Sequence, residues 1–306
     1  MNCLVIGGTG FIGSHITRKL VSEGFNVVTF SRSGNTANVS DVLDKIKVTI
    51  GSTLEINALI DVIKGYNTKL VVYAAAEHPP WTPLNVVRTM IVGFMNVLEA
   101  CRLMDVERFV WTSSYAQLGP PELYPTERVN EDAPVKPQAL HGPSFVCNEY
   151  FAKEYVERYG LDVITLRLGI NFGPGRRRIG FHDFVVELFE NPILGKPVRL
   201  AGGDARYTLQ YVKDTAEAVY TALKASGIKH RVFNTCDEVV SLRQLAEYVK
   251  EEVPAANITI EPGGRTERAL VDASRIREEL GFKPRFGIRG GVKDYINELK
   301  RTVFAR

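Results

Sequence analysis

Four glycines at the start of the chain carry the clearest chemistry. They fall in Gly7-Gly8-Thr9-Gly10-Phe11-Ile12-Gly13, a Gly-x-x-Gly-x-x-Gly spacing. The apolar run Leu4-Val5-Ile6 precedes them, and residues 11–23 follow with apolar positions at helical spacing. A strand-to-helix turn built from residues without Cβ lets backbone N–H groups approach a pyrophosphate. The helix N-terminus then faces that negative charge. The segment Gly7, Gly8, Thr9, Gly10, Phe11, Ile12, Gly13 is therefore expected to hold a dinucleotide.

A second cofactor reader follows the next apolar run, Val27-Val28-Thr29-Phe30, in Ser31-Arg32-Ser33. A carboxylate at this place would accept hydrogen bonds from an adenosine ribose. The chain offers a guanidinium and two hydroxyls, which suit a 2′-phosphate. NADP is the expected cofactor, with NAD as the alternative. Further on, Glu77-His78-Pro79-Pro80-Trp81 follows the run Leu70-Val71-Val72-Tyr73. Glu77 and His78 offer an acid/base pair and Trp81 a stacking wall for a substrate; the plainer alternative is a polar loop stiffened by proline. Arg176-Arg177-Arg178 offers cations to an anionic substrate, with Arg176 the candidate contact and a solvated basic loop the alternative. His182 reads as structural.

These residues need elements to hold them. Short apolar runs alternate with helical periods: strands are expected at 4–6, 27–30, 70–73, 109–112 and 162–166, helices at 11–23, 86–104 and 144–159. Continuous β-branched runs indicate strands covered on both faces, and strand–helix alternation indicates a parallel sheet. The fold class is α/β: a Rossmann doubly wound parallel sheet over residues 1–168, with part of 206–236 returning to it. A smaller C-terminal α+β substrate lobe occupies mainly 169–306.

The 306 residues are 45% hydrophobic and 24% charged, enough for a sizeable core and too ordered for a disordered chain. A net charge of +3 is too mild to indicate nucleic acid or an anionic membrane as a partner. The four cysteines, Cys3, Cys101, Cys147 and Cys236, form no C-x-x-C pair. They read as reduced thiols, and no metal is expected. No leader segment is read at the start, and no apolar run of about 20 residues as a membrane helix needs. A cytoplasmic location is the expectation.

The glycine turn, with other pieces downstream, resembles the extended short-chain dehydrogenase/reductases, the NAD(P)-dependent epimerase/dehydratase family. The likeness runs through Tyr73-Ala74-Ala75-Ala76, Gly93 with Asn96, and Arg108-Phe109-Val110-Trp111-Thr112-Ser113-Ser114. It continues through Tyr159-Gly160-Leu161-Asp162-Val163, Gly173-Pro174-Gly175, Arg206 to Asp214 and Val232-Phe233-Asn234. It ends in Asp272-Ala273-Ser274 and Glu279-Leu280-Gly281-Phe282-Lys283-Pro284. The resemblance implies that Ala74 and Ala75 line the cofactor, that Ser114 polarises the substrate oxygen and that Arg206 grips a substrate phosphate. It also implies a homodimer through the helices near 86–104 and 144–159.

The chain departs from the family where the chemistry sits. The family's acid/base tyrosine aligns with His141, and the lysine four residues later aligns with Phe145. Family Asn, Asp and Phe-Asn positions hold Met90, Ser52 and Gly169-Ile170. A tyrosine needs a nearby cation to work near neutrality, whereas a histidine starts at about 6.5 and does not. Loss of both residues together is self-consistent if His141 moves the proton, with Tyr115 beside Ser114 a further phenol. The expected function is NADP(H)-dependent oxidoreduction of a small carbonyl or alcohol through Ser114 and His141. The alternatives are a catalytically silent NAD(P)-binding sensor or scaffold, and a nucleotide-sugar epimerase or dehydratase.

Overall fold

A computed structural model of the chain describes residues 1–77, 82–178 and 182–304. The first half alternates strand and helix: β1 (Asn2–Ile6), α1 (Phe11–Ser22), β2 (Asn26–Ser31), β3 (Ile46–Ile50), α2 (Ile56–Gly65) and β4 (Leu70–Tyr73). Then come α3 (Pro83–Val86), α4 (Gly93–Leu103), β5 (Arg108–Ser114), the two-residue β6 (Arg128–Val129), α5 (Gly142–Tyr159) and β7 (Val163–Leu168). The later chain holds β8 (Ile170–Phe172), α6 (Phe184–Ile193), β9 (Val198–Leu200), β10 (Arg206–Tyr211), α7 (Val212–Lys224), β11 (Val232–Asn234) and β12 (Val239–Ser241). It closes with α8 (Leu242–Glu252), β13 (Ile258–Ile260), β14 (Leu270–Val271), α9 (Ser274–Leu280) and α10 (Gly287–Phe304).

Seven strands form one parallel sheet in the order β11-β7-β5-β4-β1-β2-β3. This is the doubly wound α/β sheet that the alternation predicts. Residues alternate between its faces, as strand geometry requires. Cys3 and Val5 of β1 join Ile16 and Leu20 of α1 and Val219 of α7, while Leu4 and Ile6 join Leu59 of α2, Phe94 of α4 and Tyr155 of α5. Both faces are covered, which is why the strands read as unbroken apolar runs. The strand order reverses between β1 and β4, so the crevice beyond their carboxyl ends is where such a sheet binds ligands. Strand β3 and helix α2 are absent from the sequence expectation.

The later chain crosses between two bodies. α7 packs on α1, and β11 forms the sheet edge beside β7. β8, β10 and β12 form a separate small sheet, with β9–β13 and β6–β14 pairs beside it. Their core is a third apolar cluster that includes Phe172, Phe189, Tyr211 and Tyr295.

One sequence expectation is corrected here. The continuous helix Pro83–Leu103, 21 residues, is long and apolar enough by composition to cross a membrane. Its buried residues Val86, Met90, Phe94, Val97, Leu98 and Cys101 face the protein core, which accounts for the apolar run. Its middle, Val87–Val92, is a π-helical turn. Such a turn loosens the backbone ladder, and Asn148 of α5 donates to the Met90 carbonyl there at 2.8 Å.

Candidate cofactor and proton-transfer site

The glycine turn is built so tightly that side chains cannot enter it. Gly7 has φ +79°, and a Cβ there would meet the Ala74 carbonyl carbon at 2.9 Å. A Cβ on Gly13 would lie 2.0 Å from the Gly7 oxygen. The turn closes on itself through Gly10 N–H to the Gly7 carbonyl at 2.9 Å, and α1 begins with no side-chain cap and no acidic residue in its first turn. Its leading N–H groups therefore face the crevice unneutralised, as a diphosphate would require. Ala74 and Ala75 flank this turn at the end of β4. A nicotinamide dinucleotide fits the cradle.

The loop is tied to its neighbours. Thr9 donates to Ser31 Oγ at 3.1 Å, joining the turn to the end of β2. Asn38 donates to the Thr9 carbonyl at 3.2 Å. His15 of α1 lies with Nε2 2.9 Å from the Pro174 carbonyl. A carbonyl only accepts, so Nε2 carries the proton. Burial holds this imidazole down at about 4. Arg32 is exposed and lies 3.7 Å from Glu77 Oε2; Ser33 is exposed beside it.

Ser114 ends β5. Its Oγ accepts from the Ala116 N–H at 3.1 Å, which caps the short helical turn Tyr115–Gln117 and leaves its own O–H free to donate elsewhere. His141 immediately precedes α5, and Pro143 sits in the helix's first turn. Gly142 has no room for a side chain: a Cβ would meet the Ala116 carbonyl oxygen at 2.7 Å. This close approach sets the start of α5 against the turn that Ser114 caps. The His141 ring is buried and meets Phe145 edge-on at 6.2 Å, while Phe145 stacks on Trp111 of β5 at 6.5 Å and 19°. Burial, with Arg268 and His182 nearby, lowers His141 to about 4. The imidazole is neutral at pH 7, and the wall beside it is aromatic.

A buried ion pair fixes this arrangement. Arg167 of β7 and Glu149 of α5 meet at 2.6 Å, both nearly inaccessible. Ser113, next to Ser114, donates to Glu149 Oε1 at 2.7 Å, and Gln117 donates to the same oxygen. One carboxylate thus ties α5 to β5 and β7 within about one turn of Phe145.

Among the described residues, the other candidate side chains each have a partner. Glu77 Oε2 lies 3.7 Å from Arg32 at the cofactor end. Tyr115 is buried among apolar side chains and its phenol is pushed up to about 12, chiefly by burial, which removes it as an acid near neutrality. Arg206 is half-exposed and held by Glu127 at 2.8 Å. Arg176 donates to the Asn171 carbonyl at 2.9 Å and lies 5.9 Å over the Phe11 ring, at the start of α1. His78 and Trp81 lie outside the described residues. Sequence reasoning missed Arg268, buried beside Tyr115, because Thr266-Glu267-Arg268 reads as a solvated charged loop. Among the described residues no group of His, Cys, Asp and Glu is placed to hold a metal ion.

Comparison with known proteins agrees with this geometry. The chain is 27% identical over 312 residues to a putative UDP-glucose 4-epimerase of Methanocaldococcus jannaschii, covering 98% of each. It is 29% identical over 314 residues to a UDP-glucose 4-epimerase of Mycolicibacterium smegmatis, covering 95% of this chain and 96% of that one. Its fold matches the UDP-glucose 4-epimerase of Thermus thermophilus, solved in complex with NAD, with a TM-score of 0.83 at 25% identity over 98% of this chain and 99% of the other. A model of the NAD dependent epimerase/dehydratase family matches residues 3–275. With the glycine cradle, the parallel sheet and nearly the whole length in agreement, the chain belongs to the NAD dependent epimerase/dehydratase family of enzymes.

Proposed function

We propose that this protein is an NADP(H)-dependent oxidoreductase acting on a small carbonyl or alcohol, with Ser114 and His141 as its working side chains. The observation that carries the reading is the paired change at 141 and 145. A buried neutral imidazole lies where the resemblance places the acid/base tyrosine, and an aromatic ring packed on Trp111 replaces its lysine. When bound, the nicotinamide dinucleotide supplies the hydride or accepts it. Gly7 to Gly13, Ala74 and Ala75 would hold its diphosphate and neighbouring sugar, and Arg32 would read a 2′-phosphate. The Ser114 O–H donates to the reacting oxygen. In alcohol oxidation the neutral His141 takes the proton from that oxygen. In reduction it must first take up a proton from solvent and then passes it to the oxygen. The Phe145–Trp111 wall keeps water from the reacting carbon.

Two features speak against a nucleotide sugar as substrate. The family's Phe-Asn position holds Gly169-Ile170, and Ile170 is buried in the apolar core. Arg206 is engaged by Glu127 at the surface. The names of the relatives support a sugar-nucleotide epimerase as the second reading. Mixing NADPH-loaded protein with a panel of small aldehydes and ketones separates the two. Net loss of the reduced-nicotinamide absorbance supports oxidoreduction. Conversion of UDP-glucose to its 4-epimer, with no net change in cofactor, overturns it in favour of the second.

The protein works as a homodimer in this reading. Leu84, Val87, Val92 and Leu103 on the helix Pro83–Leu103, with Tyr150 and Tyr159 on α5, are exposed large apolar groups on adjacent helices. Sedimentation equilibrium giving twice the chain mass supports this; a monomer at micromolar concentration contradicts it.

A further inference from the structure

Arg268 is a buried cation that none of the roles above uses. It lies just before β14 and is 9% exposed. Its guanidinium carbon stands 5.4 Å from the centre of the Tyr115 ring, and it hydrogen-bonds the Tyr115 side chain. Its carboxylate contact, Glu267 Oε2, is 3.5 Å away and belongs to a side chain more than half exposed. Glu267 is also 3.8 Å from His182 Nε2. His182 is held at φ +51°, unusual for a residue with a Cβ, and packs edge-on against Phe184 and Tyr207. Both Arg268 and His182 are near enough to His141 to repel a proton on it.

A guanidinium removed from water loses strong hydration and regains it only through close, well-aligned acceptors. A long contact to an exposed surface carboxylate and a contact with the Tyr115 side chain replace it only in part. Arg268 touches the side chain of Tyr115, the residue that follows Ser114 in the chain.

We propose that Arg268 is the specificity-determining residue of the cleft and that the substrate carries a carboxylate, seated on its guanidinium while Ser114 and His141 act on a nearby hydroxyl or carbonyl. This rests on the hydride-transfer reading above. A planar two-donor fork matches the two oxygens of one carboxylate. Among the described residues, Arg206 and Arg176 are turned to Glu127 and to the Asn171 carbonyl. The substrate class is then a small hydroxy or oxo acid. Glu267 competes with it for the same guanidinium.

The test is calorimetric titration of the full chain with malonate, with its neutral analogue malonamide and with inorganic phosphate, each with and without saturating NADPH. Malonate is expected to bind and malonamide not to bind. Arg268→Gln should weaken malonate at least tenfold. Glu267→Gln, which keeps Arg268 and removes its competitor, should tighten malonate several-fold. Equal malonate binding by wild type and Arg268→Gln, no malonate binding at all, or phosphate preferred over malonate each overturns the proposal. If Arg268→Gln fails to fold, Glu267→Gln decides, and unchanged malonate affinity there overturns it. Turnover of neutral alcohols that ignores Arg268 would sink this inference and leave the oxidoreductase standing. Malonate binding lost in Arg268→Gln, with no carbonyl oxidising NADPH, would do the reverse.

Discussion

Arg32 and Glu77 stand 3.7 Å apart across the ends of β2 and β4, and in the proposed NADP(H) reading their balance governs cofactor choice. A 2′-phosphate must share Arg32 with the Glu77 carboxylate, so Glu77 opposes NADPH by like-charge repulsion. Glu77→Gln is expected to tighten NADPH by about threefold to tenfold and leave NADH nearly unchanged. Arg32→Ala should weaken NADPH by about tenfold or more, the scale of one lost charge-assisted bond to phosphate. Calorimetry on both variants checks this, and an NADH affinity that falls as far as NADPH would contradict it. Arg32 stands out in sequence because it follows the second apolar run with no carboxylate beside it in the chain. Glu77 is not legible as its partner, since the contact joins residues far apart in the chain. Arg268 is hidden for the same reason: only the fold brings it to Tyr115.

Helix α5 carries Phe145 and begins beside His141, so its seating against β5 matters as much as their identity. The Arg167–Glu149 pair that seats it is buried, and removing one partner leaves the other charged and unpaired. Glu149→Ala is expected to cost about 3–5 kcal/mol of stability, read as a lowered midpoint in urea unfolding. A loss below about 1 kcal/mol would mean that the pair is dispensable. At the other end of the site, Gly13→Ala forces a methyl to within 2.0 Å of the Gly7 oxygen. That variant should lose dinucleotide binding before it loses the sheet, seen as absent cofactor heat with retained far-ultraviolet circular dichroism. Retained affinity would contradict the cradle. The β1–turn–α1 unit, β4, β5 and α5 are readable from runs and periods. Strand β3 is missing from the sequence expectation although Ile46, Val48 and Ile50 alternate with Lys47 and Thr49, the pattern of a half-buried strand. Helix α2 is missing from the sequence expectation although its apolar spacing is helical. The π-helical turn at Val87–Val92 has no sequence signal and shows only through Asn148 on its loosened carbonyl.

At the scale of the whole molecule, burial holds His15 and His141 in their neutral form. Both are lowered from 6.5 to about 4, mainly by burial. Below about pH 6.5 the unfolded chain takes up protons that the folded chain refuses. Their contribution is therefore fully present above the unfolded value and is lost as pH falls toward 4. The slope is up to about 1.4 kcal/mol per pH unit for each histidine. Thermal unfolding should drop by about 5 °C or more between about pH 7 and about pH 5.5, and the drop should shrink in His15→Gln. A melting temperature that is flat over this range contradicts the burial. The two-body plan is partly legible, because regular alternation ends near residue 170. The return of α7 and β11 to the first sheet depends on contacts that no local pattern records.

The central claim is that a neutral imidazole at 141 does the work of the missing tyrosine and lysine. The pH dependence of kcat/KM for wild type and His141→Ala, for oxidation of any alcohol that reduces NADP+, tests it most directly. The account predicts a profile level through neutrality with an acid limb near 4, and a loss of about a hundredfold or more in His141→Ala. A His141→Ala rate within a few-fold of wild type, with the same profile, would contradict it.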